Sequence, residues 1–184
     1  MDLKRLKWLG ISAVIVLFSS PFAAAEATQK ITDSEQLVIE QLVIERDCQQ
    51  LGVLYAQAVD FNQADRVADL FTVDGTWTMG PQKVVGREAI DTLFQQTQKN
   101  KTHRSLHVLS NQRINIKSKT LAQGTSYVSV YHLDGELGSD AMAHSGHPYA
   151  IATYRDEYRL TTSGWKIKQR DITIEFADLK RIKQ

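Results

Sequence analysis

Tyr55-Ala-Gln-Ala-Val-Asp60-Phe-Asn-Gln-Ala-Asp65-Arg-Val-Ala-Asp-Leu-Phe71-Thr-Val-Asp74-Gly75-Thr-Trp77 passes from one helix through a second into a strand. Its first residues continue a helical pattern that ends near a carboxylate, Asp60. Asn62 is a candidate cap for a short second helix, with Asp65 three residues on. Val67, Leu70 and Phe71 form its inward side. Asp74-Gly75 is a turn signal leading into a strand at 76–79. A long helix, a short helix and then a strand follow one another, with a carboxylate left at the first junction.

Upstream, helical periodicity runs from about residue 34 to residue 60, with Asp33 or Ser34 as cap and Glu35 and Gln36 in the first turn. The pentad Gln-Leu-Val-Ile-Glu occurs twice in tandem, at 36–40 and 41–45. Two copies of so short a unit lengthen a helix and do not define a repeat architecture. Downstream, short strands at 76–79 and 83–85 flank Gly80-Pro81. A third helix opens at Gly86-Arg87-Glu88 and runs to about residue 98, with Ala89, Ile90, Leu93 and Phe94 on its apolar side. The rest is strand-like: 105–117, 121–133, 148–161 and 165–176, joined as hairpins at Ser118-Lys119 and Thr162-Ser163-Gly164. The segment 134–147 is a long loop. Helices first and antiparallel strands second predict an α+β fold with helices covering one face of a bent sheet.

The ends bound localisation and partners. Lys4, Arg5 and Lys7 precede an apolar run from Trp8 to Phe18, and Ala23-Ala24-Ala25 offers a cleavage site. That is the pattern of a signal peptide over residues 1–25. Ser19, Ser20 and Pro21 interrupt the run before it reaches the roughly 20 residues a membrane span needs. A periplasmic or secreted destination follows, with no stable span after cleavage. Residues 26–33 are a polar leader and 34–184 one domain. Without the first 25 residues, 19 basic side chains stand against 20 acidic ones. No basic field exists to hold a polyanion, so nucleic acid is excluded as a partner class. Cys48 is the only cysteine and lies in a helical pattern, as a small buried apolar residue would.

His107 lies on a predicted strand between Leu106 and Val108. A neighbouring carboxylate would fix its tautomer, and Asp60 is the candidate, since Asn62 takes the capping role. A tyrosine, a carboxylate and an imidazole suffice for proton transfer, with no cofactor required. On the next strand, Ala122, Gly124, Ser126, Val128, Val130 and His132 share one face, on which His132 is the polar exception. On the last strand the parity shifts: Trp165 and Ile167 are on one phase, and Ile172, Ile174 and Phe176 on the other. A bulge near 168–170 reconciles them and turns Arg170 inward. An inward cation needs a carboxylate or a ligand, and Asp156 is one candidate partner. His103 and His107 have metal spacing only on a helix, and His144 and His147 sit in the long loop, so no metal site is assigned. There is no nucleophile elbow, phosphate-binding glycine loop or paired-cysteine motif.

These residues resemble the SnoaL-like branch of the nuclear transport factor 2 superfamily. The matching positions are Tyr55-x4-Asp60-Phe, Asp65 to Leu70-Phe71, Asp74-Gly75-Thr-Trp77 and Gly86-Arg87-Glu88-Ala89-Ile90. His107-Val-Leu-Ser-Asn111, Tyr154-Arg-Asp156 and Gly164-Trp165 to Arg170 complete them. The resemblance implies a cone-shaped α+β barrel. N-terminal helices pack in a strongly curved mixed, largely antiparallel sheet, with a pocket at the mouth and homodimerisation in many members. The family includes scytalone and bile-acid dehydratases, isomerases, cyclases and the β subunits of ring-hydroxylating dioxygenases. In the dehydratases a carboxylate ending the first long helix neighbours a strand histidine, positions held here by Asp60 and His107. Tyr55 matches the helix tyrosine of the bile-acid type, His132 falls near the scytalone type's second histidine, and Arg170 near an inward arginine. The resemblance thus implies Asp60, His107, Tyr55 and His132 as catalytic residues, and Arg170, Trp77 and Asp156 as substrate-binding ones. Three functions compete: a cofactor-independent lyase or isomerase, a binder of a small apolar molecule, and a dimeric structural module.

Overall fold

A computed structural model describes residues 31–99, 103–134 and 147–177. The predicted signal peptide, the leader up to residue 30 and the loop residues 135–146, with His144, lie outside the described residues. The elements are α1 (Asp33–Asp60), α2 (Ala64–Asp69), β1 (Phe71–Met79), β2 (Gln82–Val85) and α3 (Arg87–Lys99). They are followed by β3 (His103–Ser118), β4 (Leu121–Asp134), β5 (Ala150–Thr161) and β6 (Gly164–Ala177). The six strands form one curved, unclosed sheet in the order β2-β1-β6-β5-β4-β3. Only β1 and β6 run parallel; every other neighbouring pair is antiparallel. This is the expected α+β architecture, helices set against a bent, mixed and largely antiparallel sheet.

Helix α1 begins one residue earlier than the sequence suggests. Thr32 is its cap, accepting from the Glu35 backbone N–H while Glu35 reaches back to the Thr32 N–H. This reciprocal box wins over Asp33 or Ser34 because only Thr32 has a glutamate three residues ahead. Cys48, Leu51, Tyr55 and Ala58 recur at helical spacing and are all buried. α1 lies along β3, the edge of the sheet, and its last residue, Asp60, accepts the edge-strand N–H of His107. Gly52 permits the approach: a Cβ there would stand 2.9 Å from the Gln112 side chain and 3.0 Å from that of Leu109. At the other end of α1, Asn62 is in the left-handed region at φ 56°, and Gln63 takes the cap position of α2 without a side-chain hydrogen bond. Asn62 therefore turns the chain between the helices and caps neither.

Asp74-Gly75 is not a turn between elements. β1 runs through it, with an irregularity in its pairing to β6 between Phe71 and Thr76. Gly75 is required because a Cβ would meet the Phe71 side chain at 2.9 Å. The bulge expected near 168–170 is present: Tyr158 pairs with Ile167 and Glu157 with Gln169, so Lys168 is the extra residue. Trp165 and Ile167 before it, and Arg170 and Ile172 after it, all point into the core. Ile174 and Phe176 do not follow them; both are exposed, and a second register shift lies between Ile151 and Ala152. The core joins Tyr55, Phe71, Trp77, Ile90 and Phe94 to Val128, Tyr154, Tyr158 and Ile167 of the sheet.

Candidate active site

Two groups of polar side chains stand on the inner side of the sheet. The first is at the end of α1. Asp60 Oδ1 lies 2.6 Å from His107 Nδ1, and Asp60 Oδ2 accepts the His107 backbone N–H at 2.9 Å. The Ser105 hydroxyl donates to Oδ1 at 3.2 Å. The carboxylate thus serves an edge-strand N–H, a hydroxyl and an imidazole together. A carboxylate only accepts, so the proton between it and the ring sits on Nδ1, and the neutral ring keeps its lone pair on Nε2. The histidine side chain is 13% exposed and the aspartate 7%, so the pair is largely screened from water. His132 on β4 pairs with Ser105 across the ladder, one diagonal step from His107 on the same face. Its ring stacks on Tyr149, with centroids 3.8 Å apart.

The second group is deeper. Arg170 has no exposure and forks onto Asp156, its Nε donating to Oδ1 at 2.8 Å and its Nη2 to Oδ2 at 2.6 Å. The Tyr158 hydroxyl donates to Oδ2 at 2.8 Å, so Asp156 accepts three hydrogen bonds within the protein. The guanidinium lies 4.2 Å from the ring centre of Tyr55 and 4.6 Å from that of Tyr154. Burial opposes the Arg170 charge, but the Asp156 carboxylate outweighs it and holds the group above its ordinary value. Among the described residues, no acceptor meets Arg170 Nη1. Tyr55 accepts a hydrogen bond from Trp77 Nε1 at 2.9 Å, which leaves its own hydroxyl proton to give. Burial pushes the Tyr55 phenol up to about 12, against the pull of Arg170.

The structure therefore brings Asp60 and His107 into contact, sets His132 beside them, and gathers Tyr55, Trp77, Asp156 and Arg170 into a separate buried network. Ser105, Tyr154 and Tyr158 are further residues of the two groups, to which the sequence alone assigned no site role. Ser105 sits two residues before His107 and so shares its strand face, a signal that was available. Tyr154 sits two residues before Asp156 in the same way. Among the described residues no three His, Cys, Asp or Glu side chains cluster as metal ligands. No described helix is long and apolar enough to cross a membrane.

A helix-lined, open and curved sheet with these inward polar groups defines the nuclear transport factor 2-like class of α+β proteins. Within it, the profile of the SnoaL-like domain matches residues 40–171, and the chain belongs to that family. No curated protein matches the chain. Among solved structures it is similar to a Novosphingobium aromaticivorans protein provisionally assigned as a scytalone dehydratase. The two are 22% identical over 76% of this chain and 89% of that one, with a TM-score of 0.63. It is also similar to the hexachlorocyclohexane dehydrochlorinase LinA-type3 of Novosphingobium barchaimii: 20% identity, 76% and 91% of the two chains, TM-score 0.61. A nuclear transport factor 2-like protein with a cystatin-like fold from N. aromaticivorans gives 18% identity, 81% and 94% coverage and a TM-score of 0.60. At such identities the likeness establishes the fold, and the chemistry has to be argued from the site.

Proposed function

We propose that this chain is an exported, cofactor-independent lyase or isomerase acting on a small apolar or cyclic carbonyl or hydroxy compound. The observation that carries this reading is the 2.6 Å contact between His107 Nδ1 and Asp60 Oδ1, which leaves Nε2 as a base. His107 Nε2 takes a proton from the carbon beside the carbonyl. The C–H electrons pass onto the carbonyl oxygen, and Tyr55 or Arg170 Nη1 donates to that oxygen. For a lyase, the electrons then return to expel a β-hydroxyl, which leaves as water with a proton from His132. For an isomerase, His107 returns its proton at a different carbon. Trp77 and Asp156 hold Tyr55 and Arg170 in place. The names of two structural neighbours, a provisional dehydratase and a dehydrochlorinase, both denote eliminations that begin with a C–H bond, and they support the same class here.

The test is a panel of β-hydroxy carbonyl and cyclic hydroxy compounds, followed for loss of water or double-bond migration. Wild type turns over at least one member, and His107→Ala lowers kcat about 10²- to 10⁴-fold. A ligand bound but recovered unchanged by both proteins would instead make this a binding module.

Two further features belong to this reading. The outer sheet face carries exposed Leu106, Val108, Tyr127 and Phe176, and a groove there is bounded by Tyr127, Ile151 and Phe176. An apolar patch of this kind supports a homodimer, which Phe176→Asp would weaken in sedimentation. The basic and apolar N-terminal pattern supports periplasmic or secreted localisation. N-terminal sequencing of the exported protein should begin at Glu26.

A further inference from the structure

We propose that the N-terminal turns of α1 pair antiparallel with the same turns of a second copy of this chain. The starting observation is an apolar stripe that the fold leaves uncovered. Val38, Ile39, Leu42 and Val43 are 54%, 43%, 58% and 42% exposed, although they lie on the same helix as the core residues Cys48, Leu51 and Tyr55. At about 100° per residue, these four residues, with Glu35 and Arg46, fall in one sector of roughly 140° that faces away from the core stripe. The helix therefore has two apolar faces, one packed in its own domain from Ile44 onward and one open; Leu37, on the first face but ahead of Ile44, is exposed as well.

The order of residues along this second face identifies the occupant. In an antiparallel helix pair, opposed residues have numbers with a nearly constant sum. Centred on the junction of the two pentads, the two-fold sets Val38 against Leu42 of the second copy on one flank and Ile39 against its Val43 on the other. The same register sets Glu35 against Arg46 of the second copy, and by the two-fold the reverse contact also forms. The stripe is thus complementary to itself in both shape and charge: an acid at one end, a base at the other, four apolar residues between. A two-fold interface requires this self-complementarity, and an unrelated partner or a lipid surface does not. The tandem Gln-Leu-Val-Ile-Glu repeat supplies its four apolar residues, because each pentad faces the other across the axis, and Glu35 and Arg46 flank the repeat at its two ends.

The charged ends are free to take part. Glu35 receives both of its capping hydrogen bonds on Oε2, and its carboxylate is held below the ordinary value by those bonds to Thr32. Arg46 forks onto its neighbour Asp47, with 72% of its side chain exposed. An exposed contact of that kind is worth little, so redirecting the guanidinium costs little.

The experiment is sedimentation of the full-length protein and its variants at low salt. Wild type should show a concentration-dependent association step that weakens as salt rises. Arg46→Glu should weaken that step about tenfold, since the two-fold doubles each change. Glu35→Arg together with Arg46→Glu should restore it, and Leu42→Asp should abolish it, with the helical circular dichroism unchanged throughout. Where the outer sheet face also pairs, the step read is the one above that dimer, and Phe176→Asp leaves it in place. Identical sedimentation of all these proteins would overturn the proposal, whether the stripe then faces solvent or is covered by the chain's own residues 1–30. Failure of the double charge exchange to rescue Arg46→Glu would overturn it equally.

Discussion

At the scale of single residues, the chemistry turns on which oxygen of Asp60 meets which hydrogen. Oδ2 is committed to the His107 N–H, so Oδ1 is fixed in place to meet the ring. Ser105 steadies that oxygen with a third bond. Ser105→Ala should therefore lower kcat about tenfold or less and leave KM unchanged, since one hydrogen bond to a charged group is worth about 1.5 kcal/mol. Cys48 has a different fate. It is fully buried, and burial pushes its thiol up to about 12. A thiol reagent at pH 8 should label it only after denaturant unfolds the chain. Cys48 and Tyr55 both keep their protons to higher pH in the folded state than in the unfolded one. Their contribution to stability is complete below about pH 9 and is lost as pH rises toward 12, so urea midpoints should fall across that window. The Asp60–His107 pairing was legible in the sequence because a helix-end carboxylate and an isolated strand imidazole each lacked a local role. Ser105 was less so, since a serine two residues from a histidine is common and only the fold makes the proximity meaningful.

At the scale of elements, one extra residue decides where Arg170 points. The bulge at Lys168 moves the chain by one position, and everything after it changes face. Its presence was readable from the broken alternation of Trp165, Ile167, Ile172 and Arg170. Deleting Lys168 should only straighten the ladder and keep Arg170 inward, whereas inserting one residue between Gln169 and Arg170 should put Arg170 on the outer face and leave Asp156 buried without its cation; that chain should fail to fold, as seen in loss of cooperative melting. The Asp74-Gly75 irregularity was misread as a turn because the same dipeptide serves both purposes, and only the pairing of β1 with β6 distinguishes them. That pairing is parallel and joins strands far apart in the chain, so no local pattern announces it. Gly124 is a further element-scale constraint: a Cβ there would stand 2.8 Å from the Tyr158 ring and 3.0 Å from Ile114. Gly124→Ala should destabilise by about 1–3 kcal/mol, measured by denaturant unfolding, because Tyr158 is held by its bond to Asp156 and has little room to retreat.

At the scale of the whole molecule, a largely apolar interior holds a buried ion pair, Arg170 and Asp156, ringed by three tyrosines. Breaking such a pair from one side leaves an uncompensated charge. Arg170→Met alone should cost about 3–5 kcal/mol, while Arg170→Met with Asp156→Leu should be close to neutral in stability. The double variant should still lack turnover if Arg170 Nη1 serves the substrate oxygen. Stability and activity would then separate, which a purely structural arginine would not allow. The curved sheet, the helices against it and the inward polar groups were foreseeable as a class because order and spacing of many weak motifs agree. The substrate was not, because substrate specificity rests on individual side chains that no periodicity encodes. Proton exchange itself tests whether His107 abstracts a proton from carbon. Wild type and His107→Ala are incubated in deuterium oxide with cyclic ketones and β-hydroxy carbonyl compounds, and the carbon beside the carbonyl is followed by mass spectrometry. Deuterium entering that carbon with wild type and not with His107→Ala is the predicted result. Equal incorporation by the two proteins, or none by either across the panel, would contradict a proton-abstracting His107.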